Sequence, residues 1–99
     1  MLGMKFEEFE ASLSGDTPPA SVDVALQALW YDAKGNWQEA HRLAQEEENA
    51  AGSWVHAYLH RVEGDTANAA YWYRRANKPV CDAPLADEWR DLVNALLAR

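Results

Sequence analysis

Apolar residues recur three or four positions apart along most of this chain, which is the spacing that places them on one face of an α-helix. In the last segment, Leu85, Trp89, Leu92 and Leu96 share such a face, with charged residues between them. No segment shows the alternation that is typical of a β-strand. The pattern predicts an all-α fold of about six helices, over residues 4–13, 22–34, 37–51, 54–63, 66–76 and 84–98.

Short polar residues and glycines mark the ends of the predicted helices. A serine, asparagine or aspartate before a helix can accept a hydrogen bond from a first-turn amide, and a glycine after a helix can adopt the left-handed conformation that ends it. The predicted N-caps are Ser21, Asn36, Ser53 and Asp65, and the predicted ends are Gly15, Gly35, Gly52 and Gly64. With 99 residues, the chain has the length of a single domain.

Two of the helix–turn–helix segments resemble each other. Gly35-Asn36 and Gly64-Asp65 are 29 positions apart, and the same offset places alanines over alanines. The matching pairs are Ala28 with Ala57 and Ala40 with Ala69. Small residues at facing positions allow two helices to pack closely. The sequence therefore predicts an internal repeat of two helical hairpins.

This pattern resembles the tetratricopeptide repeat and, more closely, its Sel-like relatives. The second hairpin has the family's small residue on its first helix, its Gly-Asp turn and an ending, DTANAAYWYRRA, that is similar to the Sel-like ending. The first hairpin departs from the pattern, with Ala44 and Glu47 where the family has an aromatic and a small residue. The resemblance implies two hairpins flanked by an N-terminal helix and a C-terminal capping helix. If either end stays partly uncovered, a homodimer is expected.

In that family the first helix of each hairpin lines a concave face that binds a protein or peptide partner. The resemblance therefore implies a binding role for Trp54, Tyr58 and Arg61, which share one face of the predicted fourth helix. Tryptophan, tyrosine and arginine are the residue types most enriched at binding hot spots. The alternative is that Trp54 and Tyr58 pack against a terminal helix.

Two histidines one helical turn apart, His56 and His60, are the strongest chemical signal in the chain, and Glu63 follows on the same side of the helix. We favour a structural role, in which both histidines are partly buried and hydrogen-bonded to Asn68, Tyr71 or a backbone carbonyl. A polar ligand pocket or an enzymatic site comes second.

A metal site is the least favoured role for His56 and His60. The segment HAYLH lacks the glutamate of the HExxH motif, and Glu63 is the only further ligand nearby in the sequence. His41 could approach only if the hairpins stack tightly. We therefore predict no metal, no cofactor and no catalytic residue.

The net charge of −7 narrows the range of partners. Such a chain repels phosphate backbones and anionic lipid, so we expect neither a nucleic acid nor a membrane as a partner. The aromatic run Tyr71-Trp72-Tyr73 does not change this, because neighbours about 100° apart on a helix cannot form one stacking platform. We expect one of the three in the core, one at the contact with the next helix and one partly exposed.

A single cysteine, Cys81, cannot form an internal disulfide, so a cytoplasmic location fits best. The function predicted from these observations is a protein-protein or peptide-interaction module without catalytic activity. The alternative is a small-ligand-binding or enzymatic site built around His56, His60 and Glu63.

Overall fold

The computed structural model of the protein describes residues 4–99. Within this range the chain forms six α-helices and no β-strand, which confirms the predicted all-α fold. The helices are α1 (Phe6–Ala11), α2 (Val24–Ala33), α3 (Trp37–Glu46), α4 (Ala50–Glu63), α5 (Thr66–Arg75) and α6 (Leu85–Ala98), and a 3₁₀ helix, Ser12–Ser14, follows α1. None of these helices is long and apolar enough to cross a membrane.

The helices form two hairpins with a third layer across them. One hairpin is α2 with α3, the other is α4 with α5, and the two meet where α4 packs against both α2 and α3. Helix α6 lies across α2 and α4, and α1 packs against α6. The terminal helices therefore cover the hairpins, as the resemblance implied.

The turns of the two hairpins have the same conformation. Gly35 and Gly64 have φ angles of 82° and 87°, in the left-handed region that glycine adopts without strain. The side chains of Asn36 and Asp65 then cap α3 and α5. In both turns the N–H of the capping residue donates to the carbonyl five residues earlier, at 2.9 Å. This match supports the internal repeat, whereas the likeness to tetratricopeptide and Sel-like repeats stays a prediction.

Two of the predicted helix starts are wrong. Helix α2 is capped by Asp23, whose carboxylate accepts from the N–H of Leu26 at 3.0 Å, and Ser21 lies outside the helix. Helix α4 begins before Ser53, because Asn49 accepts from a first-turn amide at 2.9 Å. Aspartate and asparagine are at least as good N-caps as serine, so the better-placed residue starts each helix.

Gly52 lies in the first turn of α4 and does not end α3 as predicted. A Cβ atom at this position would lie 1.8 Å from the carbonyl oxygen of Glu47. The absence of a side chain therefore lets the start of α4 pack directly against the backbone that follows α3. This contact fixes how the second hairpin leaves the first.

The core fills the space between the hairpins and the terminal helices. The largest fully buried side chains come from five helices: Phe9, Leu29, Trp30, Val55, Leu59, Tyr73, Leu92 and Val93. Each alanine of the repeat pairs is at most 3% exposed, which agrees with close helix approach at these positions. The indole N–H of Trp89 donates to the carbonyl of Leu29 at 2.9 Å and ties α6 to α2.

Candidate functional site

All three histidines of the sequence converge where the two hairpins meet. His41 comes from α3, and His56 and His60 come from successive turns of α4. Nε2 of His41 lies 2.8 Å from Nε2 of His56, and the three pairs of imidazole centroids are 4.5, 4.8 and 5.4 Å apart. We call these three side chains the histidine cluster. The sequence indicated the pair on α4, but the approach of His41 depends on the packing of α3 against α4.

Two tryptophans enclose the histidine cluster. Trp37 stacks on His41 with ring centroids 4.7 Å apart, and Trp72 stacks on His56 at 3.9 Å. The indole N–H of Trp37 also donates to the carbonyl of Leu59 at 2.8 Å, which fixes this ring against α4. The imidazoles are therefore held from both sides by rings from α3 and α5.

The surroundings of His41 and His56 favour neutral imidazoles. Burial, together with the neighbouring His41 and His60, lowers the pKa of His56 to about 4. Burial also lowers the pKa of His41, and the neighbouring His60 adds to this effect. In the contact between His41 and His56, one Nε2 donates and the other accepts, so the accepting ring is neutral at that atom. His41 and His56 therefore present uncharged ring nitrogens at neutral pH.

The hydrogen-bond partners predicted for His56 and His60 are wrong. His56 contacts His41, and neither Asn68 nor Tyr71 bonds to it. Nδ1 of His60 is shielded from solvent and has no hydrogen-bond partner among residues 4–99. The nearest carboxylate oxygen to this atom in that range is Oε1 of Glu63, at 3.9 Å, which is beyond hydrogen-bonding distance. The imidazoles are thus packed against one another, and one buried nitrogen of His60 is left unsatisfied.

A cavity of about 420 Å³ opens beside the histidine cluster, with His56 and Trp72 in its wall. Its other polar lining residues are Gln45, Glu47, Glu48, Asn49, Ser53 and Arg75. Both acidic and basic side chains therefore face the same space. The cavity offers a path from solvent to one member of the cluster.

The three residues of the expected binding face have separate roles inside the domain. Tyr58 is 4% exposed and belongs to the core beneath α6. Trp54 is half-buried, with the ammonium group of Lys78 4.3 Å from its ring centroid. Arg61 forms an ion pair with Glu88 of α6 at 2.7 Å. Packing against a terminal helix therefore accounts for Tyr58 and Arg61.

Glu88 forms a buried polar centre that the sequence analysis missed. It is 3% exposed and accepts hydrogen bonds from Arg61 and from the hydroxyl of Tyr73. Arg61 also donates to the carbonyl of Ala83, which precedes α6. A signal was present in the sequence, because Glu88 lies one turn before Leu92 on the apolar face of α6. A carboxylate in such a position needs a buried partner.

The aromatic run of α5 is distributed as predicted for two of its three residues, since Tyr73 is 1% exposed in the core and Tyr71 is 43% exposed. Trp72 packs on His56 of the preceding helix, α4, and not on the next helix. The guanidinium group of Arg75 lies near the rings of Tyr71 and Trp72. Packing within the domain therefore explains most of this run.

Comparison of the chain with protein-family models, with curated proteins and with solved structures found no match.

Proposed function

We propose that this domain binds a small polar ligand at the histidine cluster and the adjoining cavity. The observation that carries the proposal is Nδ1 of His60, which is shielded from solvent without a hydrogen-bond partner. This function corresponds to the alternative role predicted from His56, His60 and Glu63, with His41 added. A cytoplasmic location stays part of the proposal.

Burial of an unsatisfied polar atom is costly for a domain of this size. Such an atom typically lowers stability by about 1–3 kcal/mol relative to a satisfied one. A histidine with a purely structural role is normally hydrogen-bonded when it is buried. Functional sites are the regions in which natural proteins retain destabilising side chains of this kind. The arrangement of His60 therefore supports binding more than it supports structural reinforcement.

The cavity supports the same role because it joins solvent to the cluster. His56 belongs both to the cluster and to the cavity wall. The volume of the cavity, about 420 Å³, lies in the range of small-molecule sites. The polar lining favours a small polar or charged ligand over an apolar one.

The functional role of His60 is tested by its replacement with leucine. We expect His60→Leu to raise the free energy of unfolding by about 1 kcal/mol, because it removes the unsatisfied nitrogen and keeps an apolar side chain in place. Tyr73→Phe is the matched control, since it removes a satisfied buried hydroxyl, and it lowers the free energy by about 1–3 kcal/mol. Urea denaturation followed by circular dichroism measures both. A loss of stability in His60→Leu equal to that in Tyr73→Phe contradicts the proposal.

Binding itself is measured by NMR titration of the ¹⁵N-labelled chain with acetate, phosphate, glycine, imidazole and Zn²⁺. We expect at least one of these probes to shift the amide signals of residues 47–56 and 72–75, which surround the cluster and its cavity. If none of them shifts these signals, the domain does not bind a small polar ligand here.

Protein interaction is the second candidate function, and we propose a second copy of this chain as the partner. The favouring observation is that Val80 and Leu85 are 65% and 39% exposed. Val80 borders a cavity of about 320 Å³ on the flank of α5, which is also lined by Tyr73 and Cys81. Large exposed apolar side chains beside a concave surface are typical of an interaction site.

Self-association is measured by light scattering over a range of protein concentrations. We expect the mass of the wild-type protein to rise towards that of a dimer, and Val80→Asp to remain monomeric because a charge is then buried at the contact. Ala95→Asp, at an exposed position of α6, is the control and should associate like wild type. A wild-type mass that stays monomeric at all concentrations contradicts this candidate.

A further inference from the structure

We propose that the ligand of the histidine cluster is a divalent transition-metal ion held by His41, His56 and His60. This inference rests on the proposed function and specifies its ligand. It reverses the expectation from the sequence, where the third nitrogen ligand was missing.

The ring nitrogens are close enough to share one ion. One ligand nitrogen from each histidine can be chosen such that all three lie within 4.8 Å of one another. Two imidazole nitrogens bound to one tetrahedral zinc ion are about 3.3 Å apart, given zinc–nitrogen distances of about 2.0–2.1 Å. The 2.8 Å contact between His41 and His56 is shorter than this. Binding of an ion would therefore require rotation of these two side chains, to bring their nitrogens to the distance that an ion requires.

The chemistry of the ligand set selects the class of ion. Uncharged imidazoles are the form that binds metals, and nitrogen ligands suit zinc, copper and nickel. Magnesium and calcium prefer oxygen ligands, and the cluster itself contains none. Three histidines on two rigid helices leave a fourth position for water or another donor. The adjoining cavity reaches His56, one of the three ligands.

Glu63 adds the outer contact that metal-binding histidines commonly have. Its Oε1 lies 3.9 Å from Nδ1 of His60, and Glu63 is exposed enough to change rotamer. A carboxylate that accepts from the second ring nitrogen of a metal-bound histidine orients the ring and increases its basicity. When Nε2 of His60 binds the ion, a rotamer change of Glu63 would give Nδ1 the partner that it lacks in the described structure. Glu63 would act here as a positioning residue.

Binding should also join the two hairpins. His41 belongs to the first hairpin, whereas His56 and His60 belong to the second. An ion bound to all three would therefore connect α3 to α4 and stabilise the folded state by mass action. Thermal stability is thus a direct readout of binding.

The test is thermal unfolding of the full chain, free of any affinity tag, with increasing Zn²⁺. We expect the Tm to rise by roughly 10 °C when free Zn²⁺ exceeds the Kd about 100-fold. Calorimetric titration should give one ion per chain. The same concentrations of Mg²⁺ should leave the Tm unchanged. The absence of a Tm shift with Zn²⁺, Ni²⁺ and Cu²⁺ would overturn the proposal.

Variants assign the ligands. His41→Gln and His60→Gln should each weaken Zn²⁺ binding at least tenfold, and His41 is the safer substitution because its side chain is only half-buried. Cys81→Ser, which removes the only thiol, should bind Zn²⁺ like wild type. Retained affinity in both histidine variants, or a loss in Cys81→Ser alone, would place the ion elsewhere and overturn the assignment.

Glu63→Gln tests the outer contact and should lower the affinity for Zn²⁺ by about tenfold, with one ion still bound per chain. Unchanged affinity would remove Glu63 from the site.

The metal proposal and the proposed ligand-binding function can be contradicted separately. If no metal binds but His60→Leu still stabilises the domain, the site takes another polar ligand. If His60→Leu destabilises the domain and no metal binds, both proposals fail.

Discussion

At the scale of single residues, the histidine cluster and Glu88 are two opposite ways to bury polar groups. Glu88 accepts hydrogen bonds from Arg61 and Tyr73, so its charge is compensated. His60 has a shielded nitrogen without a partner. The arrangement of Glu88 stabilises the fold, whereas that of His60 is expected where a protein binds a ligand.

The lowered pKa of His56 makes stability depend on pH. In the unfolded chain a histidine takes up a proton below pH 6.5, whereas His56 in the folded chain does so only near pH 4. Between these values the unfolded state binds more protons, so the free energy of unfolding falls as the pH is lowered from 6.5 to 4. His41 contributes in the same direction.

Urea denaturation at several pH values between 4 and 7 measures this dependence. Other groups also contribute to the pH dependence, since burial raises the pKa of Asp32 above its usual value. The informative quantity is therefore the difference in the free energy of unfolding between wild type and His56→Gln. This difference should shrink or reverse as the pH falls. A difference that is constant across the window contradicts the pKa assigned to His56.

At the scale of elements, α6 is fixed by polar contacts as well as by its apolar face. Glu88 links α6 to Arg61 on α4 and to Tyr73 on α5, and Trp89 links it to α2. Because α6 lies across α2 and α4, it covers the face on which the repeat resemblance placed a peptide. A peptide at Tyr58 would have to displace this helix.

Glu88→Gln should lower the free energy of unfolding by roughly 3 kcal/mol, because the charge of Arg61 is then left without its buried partner. Glu46→Gln is the control, since Glu46 pairs with Arg42 on the surface, where both side chains are more than half exposed. Exposed pairs contribute little, so we expect almost no change there. Thermal or urea unfolding distinguishes the two outcomes, and equal effects of both variants would contradict the role of Glu88.

The starts of the helices show which local sequence signals predict an N-cap correctly. The predicted caps Asn36 and Asp65 are correct, because each follows a glycine at the end of the preceding helix. The predicted caps Ser21 and Ser53 are wrong, because Asp23 and Asn49 cap these helices. Several nearby residues could cap each helix, and packing between helices decides among them.

At the scale of the whole molecule, the sequence predicts the fold better than the site. Periodicity and the repeated turns depend on nearby residues, so the six helices and two hairpins could be inferred directly. The pair His56 and His60 also follows from local spacing. The third member, His41, is 15 residues from His56, and its approach depends on how α3 packs against α4. No local pattern contains that information.

The matching turns and the histidine cluster also bear on the origin of the site. With the 29-residue offset of the turns, the counterparts of His41, His56 and His60 are Ala70, Gln27 and Tyr31. Duplication of an ancestral hairpin would account for the turns but not for the histidines. The cluster is thus a property of the junction between the two hairpins, so neither hairpin alone would carry the site.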